Sequence, residues 1–208
     1  MSKKSNLSIK KSKKTKKTIS KNKSKKRLTK KKTNDNKKKI KYVIGFDFDK
    51  TLMKYHWWNI YQNTPISEIR KARLSDFGYK RINKLFEYII SLENIGIAIA
   101  SFGRRDVIIK VISDILGEDF VKQHIYITTP RDFGQNDGTS LGNKNRQIEK
   151  IKKHFNVDYQ DIIYFDDDRK NIQAALTIGV NAHYVKPFKE KHIKKISKHL
   201  FRKGRLIT

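Results

Sequence analysis

The chain has 208 residues, 49 Lys and Arg against 20 Asp and Glu, a formal net charge of +29 and no cysteine. The lack of cysteine excludes disulfides and thiolate metal sites, and no apolar run approaches the length of a membrane span. The N-terminus is charged without an apolar stretch behind it, so it does not read as a secretory signal. The expectation is a soluble, intracellular protein of the cytoplasm or nucleus.

Residues 1–41 hold nineteen Lys and one Arg against a single acid, Asp35, and no aromatic residue. Leu7, Ile9, Ile19 and Leu28 follow neither a helical nor a strand period. Such a segment buries too little apolar surface to offset its ordering entropy. It is expected to be a disordered Lys-rich arm, with residues 42–208 forming one domain. A polycation of this density is expected to associate non-specifically with nucleic acid or another polyanion, more weakly as salt rises. A solubilising tail or a nuclear import signal fits the same composition.

Residues 42–47 are short, apolar and β-branched, and predict a buried strand. Residues 50–76 are mixed aromatic and polar in character and end in a helix start at Ser75-Asp76. Ile82, Leu85, Phe86, Ile89 and Ile90 fall at helical spacing across 79–92. Gly96 breaks that pattern before a second strand, 97–100, which ends at Ser101. A helix over 106–116 stops at Gly117, and 124–128 is a third strand. Residues 129–143, rich in Gly, Asp, Asn and Ser, read as a loop. A helix over 144–155, a strand over 162–165, a helix over 171–178 and a strand over 182–185 follow. The last element is an amphipathic helix, 189–201, with Ile193, Ile196, Leu200 and Phe201 on one face and basic residues elsewhere.

This alternation predicts an α/β, Rossmann-like three-layer fold with a five-stranded, mostly parallel sheet. Right-handed crossovers put the C-terminal ends of all strands on one edge, where open α/β sheets bind ligands. Asp47, Ser101 and Asp166-Asp167 all stand at such ends.

The carboxylates of Asp47 and Asp49, delivered by a strand into a turn, can converge on one ion. Magnesium takes carboxylate and water oxygens. A carboxylate held near that ion and a phosphoryl group can attack phosphorus, and a second can protonate the leaving oxygen and then activate water. D-x-D is also a common surface pattern. The Ser101 hydroxyl can bind a phosphoryl oxygen, although Ser-Phe-Gly is equally an ordinary strand-to-helix turn. Lys144, at a helix start, can offset phosphate charge, but one Lys in so basic a chain says little alone. Asp166, Asp167 and Asp168 repel one another unless a cation or a cap compensates. Asp168 suits the cap of the next helix, which leaves the first two for an ion.

Taken in order, these segments resemble the haloacid-dehalogenase-like superfamily of magnesium-dependent phosphohydrolases, over residues 42–188. Asp47, Asp49 and Thr51 match its D-x-D-x-T motif, Ser101 the second, Lys144 the third, and Asp166-Asp167 the fourth. The resemblance implies that Asp47 is the nucleophile and a Mg2+ ligand. It makes Asp49 the general acid/base, with its backbone carbonyl on the metal, and Thr51, Ser101 and Lys144 the binders of the phosphoryl group. It favours Asp167 as the metal ligand over Asp166, its neighbour. Many members carry Gly where this chain has Lys50, which either favours anionic substrates or points to solvent.

In that family specificity comes from cap insertions, and here neither insertion point holds a cap domain. Residues 54–75 have room for a flap, with Tyr55-His56-Trp57-Trp58 either touching substrate or stapling a hairpin to the core. Arg104-Arg105 either reaches a substrate phosphate or is solvated. The implied activity is a phosphatase working through an aspartyl-phosphate on a small molecule, a protein or a nucleic acid end. The alternative is a nucleic-acid-associated scaffold with a phosphatase-like fold.

Overall fold

The computed structural model describes residues 39–69 and 79–202. Five strands form the sheet: β1 Tyr42–Phe46, β2 Ile95–Ala100, β3 Ile125–Thr128, β4 Ile162–Asp166 and β5 Asn181–Tyr184. Their order is β3-β2-β1-β4-β5, and every pairing is parallel rather than mostly so. The helices are α1 Trp57–Tyr61, α2 Tyr79–Ser91, α3 Arg105–Leu116, α4 Glu118–His124, α5 Asn145–Phe155, α6 Arg169–Thr177 and α7 Glu190–Arg202.

Successive side chains of a strand point to opposite faces, and the core divides accordingly. Ile44, Phe46, Ile97, Ile99, Ile163 and Phe165 join one cluster with side chains of α2, α3 and α7. Val43, Ala98, Ala100, Ile162 and Tyr164 join a second cluster with those of α5 and α6. Both faces are covered, which is why the strands read as continuous apolar runs instead of alternating ones. Phe46 stacks on Phe165 at 5.5 Å, and Phe188 meets both rings edge-on, at 5.4 and 4.9 Å. α7 docks by Ile196 and Leu200, both buried, and its Ser197 hydroxyl is hydrogen-bonded to Tyr88 of α2 at 2.5 Å.

Several boundaries differ from the sequence reading. α4 was not foreseen, because Gly117 read as a full stop. Its φ of 93° ends α3, and the same residue serves as the N-cap of α4. Residues 54–69 contain α1 and a 3-10 turn, Ile66–Glu68, and no hairpin among the described residues. The loop 129–143 includes a 3-10 turn, Pro130–Phe133, whose Asp132 carboxylate accepts the Thr129 N–H at 2.8 Å. The helix start at Ser75-Asp76 lies outside the described residues, as does the arm up to residue 38.

Candidate active site

Strand register builds the site. Phe46 pairs with Phe165 on one side and with Ile99 on the other. The Asp47 N–H then donates to Phe165 C=O at 2.8 Å, carrying the pairing one step past β1. Asp47 therefore stands between the ends of β2 and β4, beside Ala100 and Asp166. The chain leaves through a wide turn, with the Leu52 N–H on Asp47 C=O at 3.3 Å and the Met53 N–H on Phe48 C=O at 3.0 Å. Lys50 sits in this turn at φ 55°. Gly takes that conformation freely, whereas a side chain costs roughly 1–2 kcal/mol.

Carboxylate oxygens of Asp47, Asp166 and Asp167 lie within 4.8 Å of one another. Lys144 is buried beside them. It occupies the N-cap position of α5 and donates from Nζ to Asp47 Oδ1 and to Ala100 C=O, both at 2.9 Å. Asp166 is held from three sides: by the Tyr164 hydroxyl at 2.9 Å, the Asp168 N–H at 2.8 Å and the Asn171 amide at 3.1 Å. Asp167 is half-buried and accepts no hydrogen bond among the described residues. Asp168 caps α6 by accepting the Lys170 N–H at 2.8 Å. Tyr164 reaches Asp166 because it lies over Gly45, where a Cβ would come within 3.0 Å of the ring.

Burial pushes the Asp47 carboxyl well up from its ordinary value, with Asp166 and Asp49 adding to it and Lys144 opposing. Burial likewise raises Asp166 and Asp167; Lys144 is the largest counterweight for the first, and Lys50 and Lys186 act on the second. Crowded acids shifted in one direction form a site in want of a cation. All the donors are oxygens, which suits a hard ion such as magnesium.

Asp49 stands apart from this trio. Its carboxylate accepts the Trp57 N–H, and His56 Nδ1 is 3.8 Å away. Burial raises its pKa, against His56 and the Trp57 amide. The buried Ser101 Oγ accepts the Gly103 N–H at 3.0 Å. These residues open on a cavity of about 700 Å³ lined by Asp47, Asp49, Ser101, Lys144, Asp166 and Asp167.

Thr51 does not share that cavity. It is buried beneath the turn, where its carbonyl accepts the Phe188 N–H at 2.9 Å. Arg104 is neither solvated nor directed at substrate: Nη1 donates to the carbonyls of Tyr61 (2.8 Å) and Thr64 (2.7 Å), and the guanidinium also grips Asp106. It gathers the orphan carbonyls at the end of α1. Arg105 is bonded to Asp132 at 2.8 Å. The aromatic cluster acts piecewise: Trp57 is buried, its backbone holds Asp49, and Trp58 lines the cavity against Gly138.

Sequence reasoning overlooked Gln147, whose amide donates to the carbonyls of Ser101 and Thr128 at 2.8 and 2.9 Å. Its position three residues after Lys144, on the same helical face, was the available signal. Tyr164 was marked by strand alternation, two residues before Asp166. Nothing in the sequence marked the Trp57 amide, since any residue supplies one.

An open parallel sheet with buried acids and a lysine at its C-terminal edge defines a haloacid-dehalogenase-like hydrolase acting on phosphate esters. The chain belongs to the acid phosphatase family, whose model matches residues 39–202. Among solved structures it is similar to the HAD domain of the effector Lem4 from Legionella pneumophila, as an inactive mutant. Identity there is 16%, over 78% of this chain and 94% of that one, with a TM-score of 0.52. It is also similar to a phosphatase domain from Bacteroides fragilis complexed with Mg, at 13% identity over 82% of this chain and 42% of that one, with a TM-score of 0.43. No curated protein matches by sequence. Among the described residues no helix is long and apolar enough to cross a membrane.

Proposed function

We propose that the chain is a magnesium-dependent phosphomonoester phosphatase with Asp47 as nucleophile. The observation that carries this reading is the convergence of Asp47, Asp166 and Asp167 within 4.8 Å, beside a buried lysine, in an acid phosphatase fold. Asp47 and Asp167 would hold the ion, together with the Asp49 carbonyl, and Asp166 braces them through Tyr164 and Asn171. Magnesium, when bound, neutralises charge on the phosphoryl oxygens.

An Asp47 carboxylate oxygen attacks phosphorus and the ester P–O bond breaks. Lys144 fixes the orientation of Asp47, and with the Ser101 hydroxyl it binds phosphoryl oxygens. Asp49, its pKa raised by burial, gives its proton to the leaving alkoxide. Water then attacks the aspartyl-phosphate, returns a proton to Asp49, and phosphate departs. His56 and the Trp57 amide keep the Asp49 carboxylate aimed away from the metal ligands. Thr51 is assigned no contact with substrate. We assign the arm a tethering role on nucleic acid or another polyanion, to be read from salt-dependent binding.

The test is phosphate release from an aryl phosphate by the full chain, with magnesium and with a chelator. Asp47→Asn and Asp49→Asn should each lower kcat by roughly a thousandfold or more. Unchanged turnover in Asp47→Asn would remove it as nucleophile.

A further inference from the structure

The cavity that holds the acids also carries cations that the reaction does not use. Lys50, Arg169 and Lys170 line it. Among the described residues, none of the three is within 4.0 Å of a carboxylate that would pair it. Arg169 and Lys170 are exposed at the start of α6. Cations at a helix start work against the helix dipole, so helix stability does not account for them there. Two aromatic rings share the mouth: half-buried Trp58, and Tyr184 with the Arg169 guanidinium 4.7 Å from its ring. Residues 101–144 insert only a helix pair, a strand and a loop, and among the described residues no cap domain closes over the opening.

A single phosphoryl group reaches Ser101 and Lys144 deep in the site and leaves this outer set unoccupied. A ligand that fills both has one phosphate at the acids, further phosphates within reach of the rim, and flat rings between them. Cations interleaved with exposed aromatics are how proteins grip single-stranded nucleic acid. The nineteen lysines of residues 1–41 add a second attraction for the same polyanion.

We infer that the substrate is the terminal phosphate of a polynucleotide strand. Arg169, Lys170 and Lys50 take the neighbouring backbone phosphates, and Trp58 and Tyr184 stack on the terminal bases. This rests on the phosphatase reading, and its chemistry is the same: the P–O bond to the terminal sugar breaks and the sugar oxygen takes the proton from Asp49. A phosphopeptide is the competing occupant. It has no second phosphate one nucleotide away, so the rim would gain nothing from it.

The experiment compares kcat/KM of the full chain on 5′- and 3′-phosphorylated oligonucleotides, a phosphotyrosine peptide and an aryl phosphate, for wild type and R169Q/K170Q. Wild type should prefer one oligonucleotide end to the peptide by about tenfold or more. The double variant should lower the oligonucleotide-to-aryl-phosphate ratio by about tenfold or more. It should also flatten the salt dependence of the oligonucleotide reaction by about 0.7 logarithmic units per lost contact. A ratio unmoved by the substitutions, or a preference for the peptide, overturns the inference while the phosphatase reading stands. Failure to hydrolyse any of the substrates overturns both.

Discussion

Replacing Lys144 with methionine tests the electrostatics of the site most directly. Lys144 is 1% exposed and Asp47 is 6% exposed, so neither charge is hydrated. The surface value for an ion pair, about 0–1 kcal/mol, does not apply here. Breaking a buried pair from one side costs about 3–5 kcal/mol, because the other charge is left without compensation. The Ala100 carbonyl also loses its 2.9 Å donor, and the Tyr164 hydroxyl 3.4 Å away directs its one proton to Asp166. Methionine can keep the contact that the Lys144 side chain makes with the Phe102 ring, so packing loss is small. For a chain of this size the expected fall in Tm is about 6–20 °C.

The loss should depend on pH in a definite direction. Burial already raises the folded-state pKa of Asp47, and without the ammonium it rises further. An acid whose pKa is raised by folding imposes its full penalty above the raised value, and the penalty fades as pH falls from there to the ordinary carboxylate pKa of the unfolded chain. Urea unfolding should therefore show the deficit of Lys144→Met shrinking as pH is lowered from 8 toward about 5. Magnesium should shrink it too, by supplying the missing positive charge. A deficit under about 0.5 kcal/mol, or one that is flat with pH and metal, would refute the claim that Lys144 and Asp47 form a desolvated pair.

Tyr164→Phe removes the 2.9 Å bond to Asp166 and should cost about 1–3 kcal/mol in denaturant unfolding, with weakened apparent magnesium affinity in activity titrations. Arg104→Met frees the carbonyls of Tyr61 and Thr64. Limited proteolysis should then cut within residues 57–64 at least about tenfold faster than in wild type. At Gly138, φ is 82° and a Cβ would fall 2.1 Å from the Trp58 ring. Gly138→Ala should displace Trp58, visible as a red shift of tryptophan emission, and raise KM by several-fold. Magnesium at about 100 times its Kd should raise the stability of wild type by ~2.7 kcal/mol, and Asp167→Asn should remove most of that gain in a thermal melt.

Residue pattern alone specifies the layered α/β order and the ends of the strands. Buried parallel strands must be short apolar runs, and the polar residue that follows each run marks the edge where chemistry occurs. Asp47, Ser101 and Asp166-Asp167 were marked for that reason, whereas Lys144, at a helix start after a loop, was marked only by the order of motifs in the resemblance. Tertiary structure decided what local pattern does not encode. Register set Asp47 against Asp166, and the turn after β1 carried the Asp49 carboxylate to the Trp57 amide and His56. Arg104 became a staple for α1 because the carbonyls of Tyr61, Gln62 and Thr64 end in front of it, and Thr51 went beneath the turn instead of into the cavity. Gly117 both ends one helix and begins another because glycine takes its φ of 93° and ψ of 146° without strain, and the packing of Val121 into the core favours the second helix. Backbone donors such as the Trp57 amide carry no residue signature, so their part in the site appears only when the chain is folded.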